Sequence, residues 1–249
     1  MWLILQHEHD EAAKWAAREL ADQGCGPVLR LTDAELGSAR RWEHRLEGTH
    51  TSIRCELADG RYFDGSKVDA VLNRLLFVSP VVTGNLRSVD RPYAMQEWNA
   101  FFLSWLSCLT CPVLNPPSPL GLSGAFRHPL EWRSLAFQAG FDAPGPAFVS
   151  RNNGAQHSKA GLDSLQVLLV GTNVISLQPL PPEVKKASIR LGALARTPLL
   201  GLRLRTTPNG AWEFLECSTT PDLRTGGENF IRALGDTFRA PSLTWKENS

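Results

Sequence analysis

An α/β fold follows from three features of the sequence. The chain opens strand–helix–strand, which favours a parallel sheet. Its apolar residues recur at helical spacing in some stretches and as short runs or alternations in others. Glycine- and proline-rich stretches separate these segments. With 249 residues the chain is long enough for one large domain or two small ones with a real core.

The elements are expected in this order. Trp2 to Gln6 reads as a buried strand, and Asp10 to Leu20 as a helix with Ala13, Trp15, Ala16, Ala17 and Leu20 apolar and Asp10 as its cap. Gly24 and Gly26 end that helix, and Pro27 to Leu31 is the second strand. Residues 42–46, 51–57 and 61–63 alternate polar and apolar and read as antiparallel strands, with Asp59-Gly60 as a turn. Asp69 to Arg74 is another buried strand, whose polar end Asn73-Arg74 lies at the sheet's carboxyl edge, where open α/β sheets bind ligands. Tyr93 to Leu109 is a helix with Trp98, Phe101, Phe102, Trp105 and Leu109 as its core stripe. A strand, Pro112 to Asn115, leads into a Pro/Gly-rich loop over 116–124, the expected domain boundary. Then come a helix over Pro129–Ala139, a polar segment over 150–161 and a hairpin over 165–177 turning at Gly171-Thr172-Asn173. A helix over Glu183–Ala195, a hairpin of Leu199–Arg205 with Trp212–Cys217, a helix over Gly226–Phe238 and a loose polar tail from Pro241 complete the chain.

Composition narrows the function classes. Hydrophobic residues make up 43% and charged residues 20%, as in a soluble globular protein, and the net charge of +1 disfavours nucleic acid and anionic lipid as partners. No run approaches the roughly 20 apolar residues of a membrane span, and the N-terminus lacks a basic leader, so a cytoplasmic location is expected. Five cysteines argue against a disulfide framework, and the single Cys108-x-x-Cys111 pair lacks the second pair of a zinc site. His7-Glu8-His9-Asp10 holds four metal-capable groups without an identifiable further ligand, and reads as a polar strand-to-helix loop. No G-x-S-x-G, G-x-G-x-x-G or G-x-x-x-x-G-K-[ST] motif occurs, so nucleophilic catalysis and standard dinucleotide or P-loop sites have no support.

Several short blocks resemble the ATP-grasp superfamily in their shared order, in the manner of the ribosomal-protein glutamate ligases. Val71-Leu72-Asn73-Arg74 matches an "x-x-N-R" strand end, and Pro112-Val113-Leu114-Asn115 a "P-V-x-N" step. Ala139-Gly140-Phe141-Asp142-Ala143-Pro144 fits "A-G-[apolar]-x-x-P". Gln166 to Val174 is similar to the "V-V-G" hairpin, and Glu216-Cys217-Ser218-Thr219-Thr220-Pro221 stands where the family has its metal-binding "E-x-N-x-x-P" strand. The resemblance implies a Rossmann-like domain over 1–117 followed by a reduced ATP-grasp-like α+β domain over 118–249.

The same resemblance marks two departures. Only twenty-one residues, Gly145 to Leu165, stand where the family builds the lobe that closes over ATP, too few for several strands and their turns. The family's Mg²⁺ is held by an Asp on the first strand of the last hairpin and by Glu and Asn on the second. Here those positions are Arg203, Glu216 and Ser218, so two of three hard-oxygen ligands are replaced. Arg203 and Glu216 are expected to pair across the hairpin in a buried site.

No catalytic residue is identified, and no metal ligand is assigned. The expected ligand-binding residues are Asn73, Arg74 and Asn115 at the sheet edge, Ser123 and Arg127 in or beside the glycine loop, Arg203 and Glu216 on the last hairpin, and Asp222, Arg224 and Glu228 around Gly226-Gly227. Capped-helix and linker roles account for the same segments. Two functions remain: a non-catalytic binding or accessory protein for a peptide, metabolite or protein partner, with no cofactor, or a divergent ATP- and Mg²⁺-dependent carboxylate–amine ligase completed by a second chain. The sequence leaves the oligomeric state open.

Overall fold

The computed structural model describes residues 1–48, 50–143, 164–207 and 209–239. The polar segment expected over 150–161, Pro144 of the "A-G-[apolar]-x-x-P" block, most of the shortened segment and the tail from Pro241 lie outside them. Among the described residues the architecture is mixed α/β, in two compact units: Met1–Phe126 with Phe238 and Arg239, and Arg127–Thr237.

The first unit contains β1 (Trp2–Gln6), α1 (Glu11–Asp22), β2 (Val28–Thr32), α2 (Asp33–Gly37), β3 (Arg41–Glu47), β4 (His50–Glu56), β5 (Tyr62–Asp64), β6 (Ala70–Asn73), α3 (Arg91–Ser107) and β7 (Val113–Leu114). Strands β2, β1, β6 and β7 form, in that order, a sheet whose neighbours are all parallel. Strands covered on both faces must be apolar throughout. Leu3, Ile4, Leu5, Val71 and Leu72 accordingly have at most 1% exposure. Strands β3, β4 and β5 form a separate antiparallel sheet. Its Trp42 and Phe63 pack with Phe102 and Trp105 of α3 and with Leu3, Leu5 and Val71 of the parallel sheet in one core.

Local chemistry explains the helix starts. The Asp10 carboxylate accepts the Ala13 N–H at 3.0 Å and caps α1, as expected. Trp15 falls off the buried stripe of Ala13, Ala16, Ala17 and Leu20 and is half-buried. The short helix α2 opens on a capping box in which Thr32 and Glu35 satisfy each other's backbone N–H. On α3, Phe102 and Trp105 are buried, while Trp98 and Phe101 are half-buried; the helix ends at Ser107, so the buried Leu109 of the expected stripe lies just past it.

The loop after β7 belongs to this first unit, and the unit ends at Phe126 rather than at residue 117. Asn73 shows why. Its side-chain N–H₂ donates to the carbonyls of Asn115 at 3.0 Å and Leu122 at 2.6 Å, while its Oδ1 accepts the Leu75 N–H at 3.2 Å. The Ser123 hydroxyl donates back to the Asn73 carbonyl at 2.8 Å. Asn115 takes a left-handed backbone, φ 61°, which Asn tolerates better than most residues.

The second unit contains α4 (Pro129–Ala139), β8 (Ser164–Val170), β9 (Asn173–Ser176), α5 (Pro182–Ala195), β10 (Leu199–Thr206), β11 (Trp212–Ser218) and α6 (Gly227–Arg239), the last running from it. Strands β11, β10, β8 and β9 form an antiparallel sheet in that order. Alternation sorts its faces. Val167, Leu169, Leu200, Leu202, Leu204 and Phe214 point to the core shared with α4 and α5. The opposite face carries Gln166, Arg203 and Glu216, and is described below. Among the described residues no helix is long and apolar enough to cross a membrane.

Two measurements test this account. Asn73→Ala removes three hydrogen bonds from buried backbone groups, to the Asn115 and Leu122 carbonyls and the Leu75 N–H, so urea unfolding should show a loss of about 2–4 kcal/mol. Asp64 provides the second. Hydrogen bonds from the Ser66 hydroxyl and amide, then Arg54, hold its carboxyl down at about 2. A depressed carboxyl contributes stability that is complete above its unfolded pKa of about 3.9 and is lost as pH falls toward the folded value. Wild type should therefore exceed Asp64→Asn in melting temperature at pH 7, and the two should converge near pH 2.

Candidate functional site

At the carboxyl edge of the parallel sheet, β1 and β6 end side by side, Leu5 opposite Asn73. The residue after each strand leaves the sheet with a polar side chain. Arg74 is 3% exposed and reaches Asp10 with Nε at 2.7 Å and Nη2 at 3.1 Å, a two-bond pair. Asp10 thus joins the start of α1 to the end of β6. His7 follows β1. Its Nε2 accepts the Leu76 N–H at 3.2 Å, its Nδ1 lies 3.6 Å from Asp33, and its ring stacks on Phe77 with centroids 4.5 Å apart. Burial alone would raise the Asp33 carboxyl, but the His7 ring and the Ser79 N–H outweigh it and hold Asp33 below the usual range. His7 is committed to these contacts, and no group of three or more His, Cys, Asp or Glu side chains among the described residues is placed to hold a metal.

Four of the residues predicted to bind a ligand therefore sit in this unit with little surface: Asn73 0%, Arg74 3%, Asn115 0% and Ser123 2%. Asn73, Asn115 and Ser123 form one hydrogen-bonded group, and Arg74 belongs to the pair with Asp10.

The second unit has a cleft of about 220 Å³ on the sheet face away from α4 and α5. Its walls include Gln166, Arg203, Glu216, Thr220 and Asp222, with Gly201 facing Pro221. A Cβ on Gly201 would stand 2.5 Å from Pro221, so only glycine lets the chain after β11 fold back this closely. Arg203 lies opposite Glu216 on β11 and opposite Gln166 on β8; nearer the turn Arg205 faces Glu213, one residue off an even count from Asn209-Gly210, and a shift between Arg203 and Leu204 brings Glu216 opposite Arg203. The Arg203 Nη2 is 3.0 Å from the Glu216 carboxylate.

The pair exists, but it is not buried. The Arg203 side chain keeps 34% of its surface and that of Glu216 keeps 62%. The expectation of a buried pair fails because α4 and α5 cover only the opposite face of this sheet. Next along the strands, Arg205 joins Glu213 through Nε and Nη2. Asp222 caps the short 3₁₀ turn Leu223–Gly226 by accepting the Arg224 N–H at 3.1 Å, and the Arg224 guanidinium closes on the same carboxylate at 2.8 and 2.7 Å.

The remaining predicted residues separate. Arg203, Glu216 and Asp222 line the cleft; Arg224 touches it only through Asp222; Glu228 is exposed in the first turn of α6. Gly226 is packed, since a Cβ there would meet Phe230 at 2.7 Å and Leu168 at 2.9 Å, whereas Gly227 takes φ 50°. Arg127 instead serves the end of α5: its Nη2 donates to the Ala195 carbonyl at 3.2 Å, and its guanidinium lies 5.8 Å from the Trp132 ring centroid. Sequence reasoning missed Gln166, Thr220 and Cys217 as cleft residues. The alternation of β8 and β10 carried the signal for Gln166. Burial, reinforced by Glu216, pushes the Cys217 thiol well up, so it stays neutral.

Because both side chains of the Arg203–Glu216 pair are partly solvated, Arg203→Ala and Glu216→Ala should each lower stability by less than about 1 kcal/mol, with a coupling that fades as salt is raised. Urea titrations of both variants and the double variant measure this; a loss of about 3 kcal/mol from either would mean that the pair is desolvated.

No protein-family model matches the sequence. No curated protein matches it. Solved structures do share its fold. The macrocyclase MdnC from Microcystis aeruginosa MRC, bound with precursor peptide MdnA, superposes with a TM-score of 0.72 at 12% identity, covering 95% of this chain and 98% of that one. A RiPP-associated ATP-grasp ligase from Chryseobacterium gregarium, in complex with ADP and a leader and core peptide, gives 0.72 at 13% identity, covering 96% and 97%. The ATP-grasp ligase PsnB, complexed with minimal precursor, gives 0.64 at 12% identity, covering 95% and 98%. The chain shares the fold of these ATP-grasp ligases.

Proposed function

We propose that this protein is a non-catalytic peptide-binding member of the ATP-grasp fold, with a Rossmann-like first domain and a cytoplasmic place of action. The observation that carries the reading is the pairing of the cleft carboxylates with arginine: Glu216 with Arg203, and Asp222 with Arg224. A site for Mg²⁺ needs carboxylate oxygens free to face the ion. Here a guanidinium stands beside each carboxylate and supplies the positive charge the metal would bring. The residues present do not fit a resident Mg²⁺. The segment of twenty-one residues between Gly145 and Leu165 supports the same reading, because a lobe that covers a nucleotide needs several strands.

The peptide class is drawn from the fold relatives. MdnC was solved with a precursor peptide, the Chryseobacterium gregarium ligase with a leader and core peptide, and PsnB with a minimal precursor. A chain that keeps the fold and loses the metal chemistry retains the capacity to hold a peptide.

Calorimetry and an ADP-release assay on the purified chain test this. The expected result is no ATP·Mg²⁺ binding tighter than about 1 mM and no ADP release above background. ADP release that disappears in Glu216→Ala would overturn the proposal in favour of the ligase reading. The same would follow if a second chain, recovered by pull-down, restored Glu216-dependent turnover.

A further inference from the structure

Helix α5 turns one face to the core and the other to solvent. Its buried stripe, Val184, Ala187, Ser188, Leu191, Gly192 and Ala195, packs into the core of the second unit. The opposite side is exposed and carries Lys185, Lys186 and Arg190, followed by Ala193 and Leu194. None of the three cations has an ion-pair partner among the described residues. The one carboxylate of the helix, Glu183, stands in the first turn, where the helix dipole favours it, and it too is unpaired among the described residues.

This arrangement is poor chemistry for the helix alone. Lys186 and Arg190 are four residues apart, so two like charges sit one above the other and repel. Lys185 and Lys186 lie toward the positive end of the helix dipole, the wrong end for a cation. A surface helix optimised only for stability would alternate signs here, as β3 and β4 do with Arg41 opposite Glu56 and Glu43 opposite Arg54. The chain as a whole is nearly neutral at +1, so acidic residues elsewhere offset the charge of this face.

We propose that this face docks an acidic peptide segment, with two acidic residues one residue apart and an apolar residue two further on. Lys186 and Arg190 are about 6 Å apart along the helix axis. Side chains on one edge of an extended peptide recur every 6.8 Å or so, which matches that step. Leu194, 37% exposed, is four residues beyond Arg190 and supplies the apolar contact. Lys185 flanks the pair and widens the positive field. The short span fits a few carboxylates and is too small for the phosphate track of a nucleic acid. This inference rests on the peptide-binding reading above and gives that peptide its chemistry and its seat.

Fluorescence anisotropy on the full chain tests it, with a fluorescein-labelled peptide of two Glu-Ala-Glu-Ala-Leu repeats as probe and the Lys-Ala-Lys-Ala-Leu counterpart as control. The acidic probe should bind, the basic one should not, and raising salt from about 50 to about 200 mM should weaken binding severalfold. Lys186→Glu with Arg190→Glu should weaken it at least tenfold or so. Lys186→Arg with Arg190→Lys should leave it near wild type, and circular dichroism should show both double variants folded. Absent binding, binding that survives the charge reversal, or tighter binding to phosphatidylserine vesicles or oligouridylate would each overturn the assignment. ATP turnover by the chain with α5-dependent peptide binding intact would sink the non-catalytic reading and leave this one standing.

Discussion

The first unit depends on one buried ion pair. Arg74 leaves the end of β6 with almost no access to solvent, and a guanidinium in that position must be matched by a carboxylate with the right geometry. Asp10 provides it while also capping α1. One aspartate therefore fixes three things together: where β6 stops, where α1 begins, and how the loop after β1 is held. The neighbouring Asn73 extends the constraint to the far side of the sheet by tying down the carbonyls of Asn115 and Leu122. The carboxyl edge of the sheet is thereby rigid, and its polar residues act on one another.

The second unit follows a different rule. Its sheet has one face filled by α4 and α5 and another on which Arg203 pairs with Glu216 and Arg224 with Asp222, all partly solvated. Such pairs contribute little to stability singly. Their effect is on the charge of the cleft, where Glu216 and Asp222 each stand beside a guanidinium.

Much of the fold was legible in the sequence, because the signals were local. Continuous apolar runs in β1 and β6 indicate a doubly covered parallel sheet, and the helical spacing of Ala13, Ala16, Ala17 and Leu20 indicates one face of α1. Helix α2 was missed because five residues are too few for periodicity, although its Thr32-x-x-Glu35 capping box was present. The candidate site was less legible. Asn73 and Asn115 were identified as polar strand ends, but their partners lie far along the chain and only the topology brings them together. Arg203 and Glu216 do face each other, but through a one-residue slip that counting from the turn did not contain, and the exposure of the pair was not legible either. Register is a property of two strands, and burial depends on which layer covers them.

Between Arg203 and Leu204 the pairing of β10 with β11 slips by one residue, so that Glu216 and Phe214 face consecutive residues of β10. In a regular strand Phe214 and Glu216 would share a face; with Leu215 inserted, the strand changes phase. Phe214 enters the core and Glu216 emerges beside Arg203, while Cys217 returns inward opposite Leu202. The two halves of β11 are thus decoupled in their side-chain parity. Each half keeps its own alternation between the core and the opposite face, Phe214 with Glu213 and Cys217 with Glu216, so the slip re-aims the cleft carboxylate without emptying a core position.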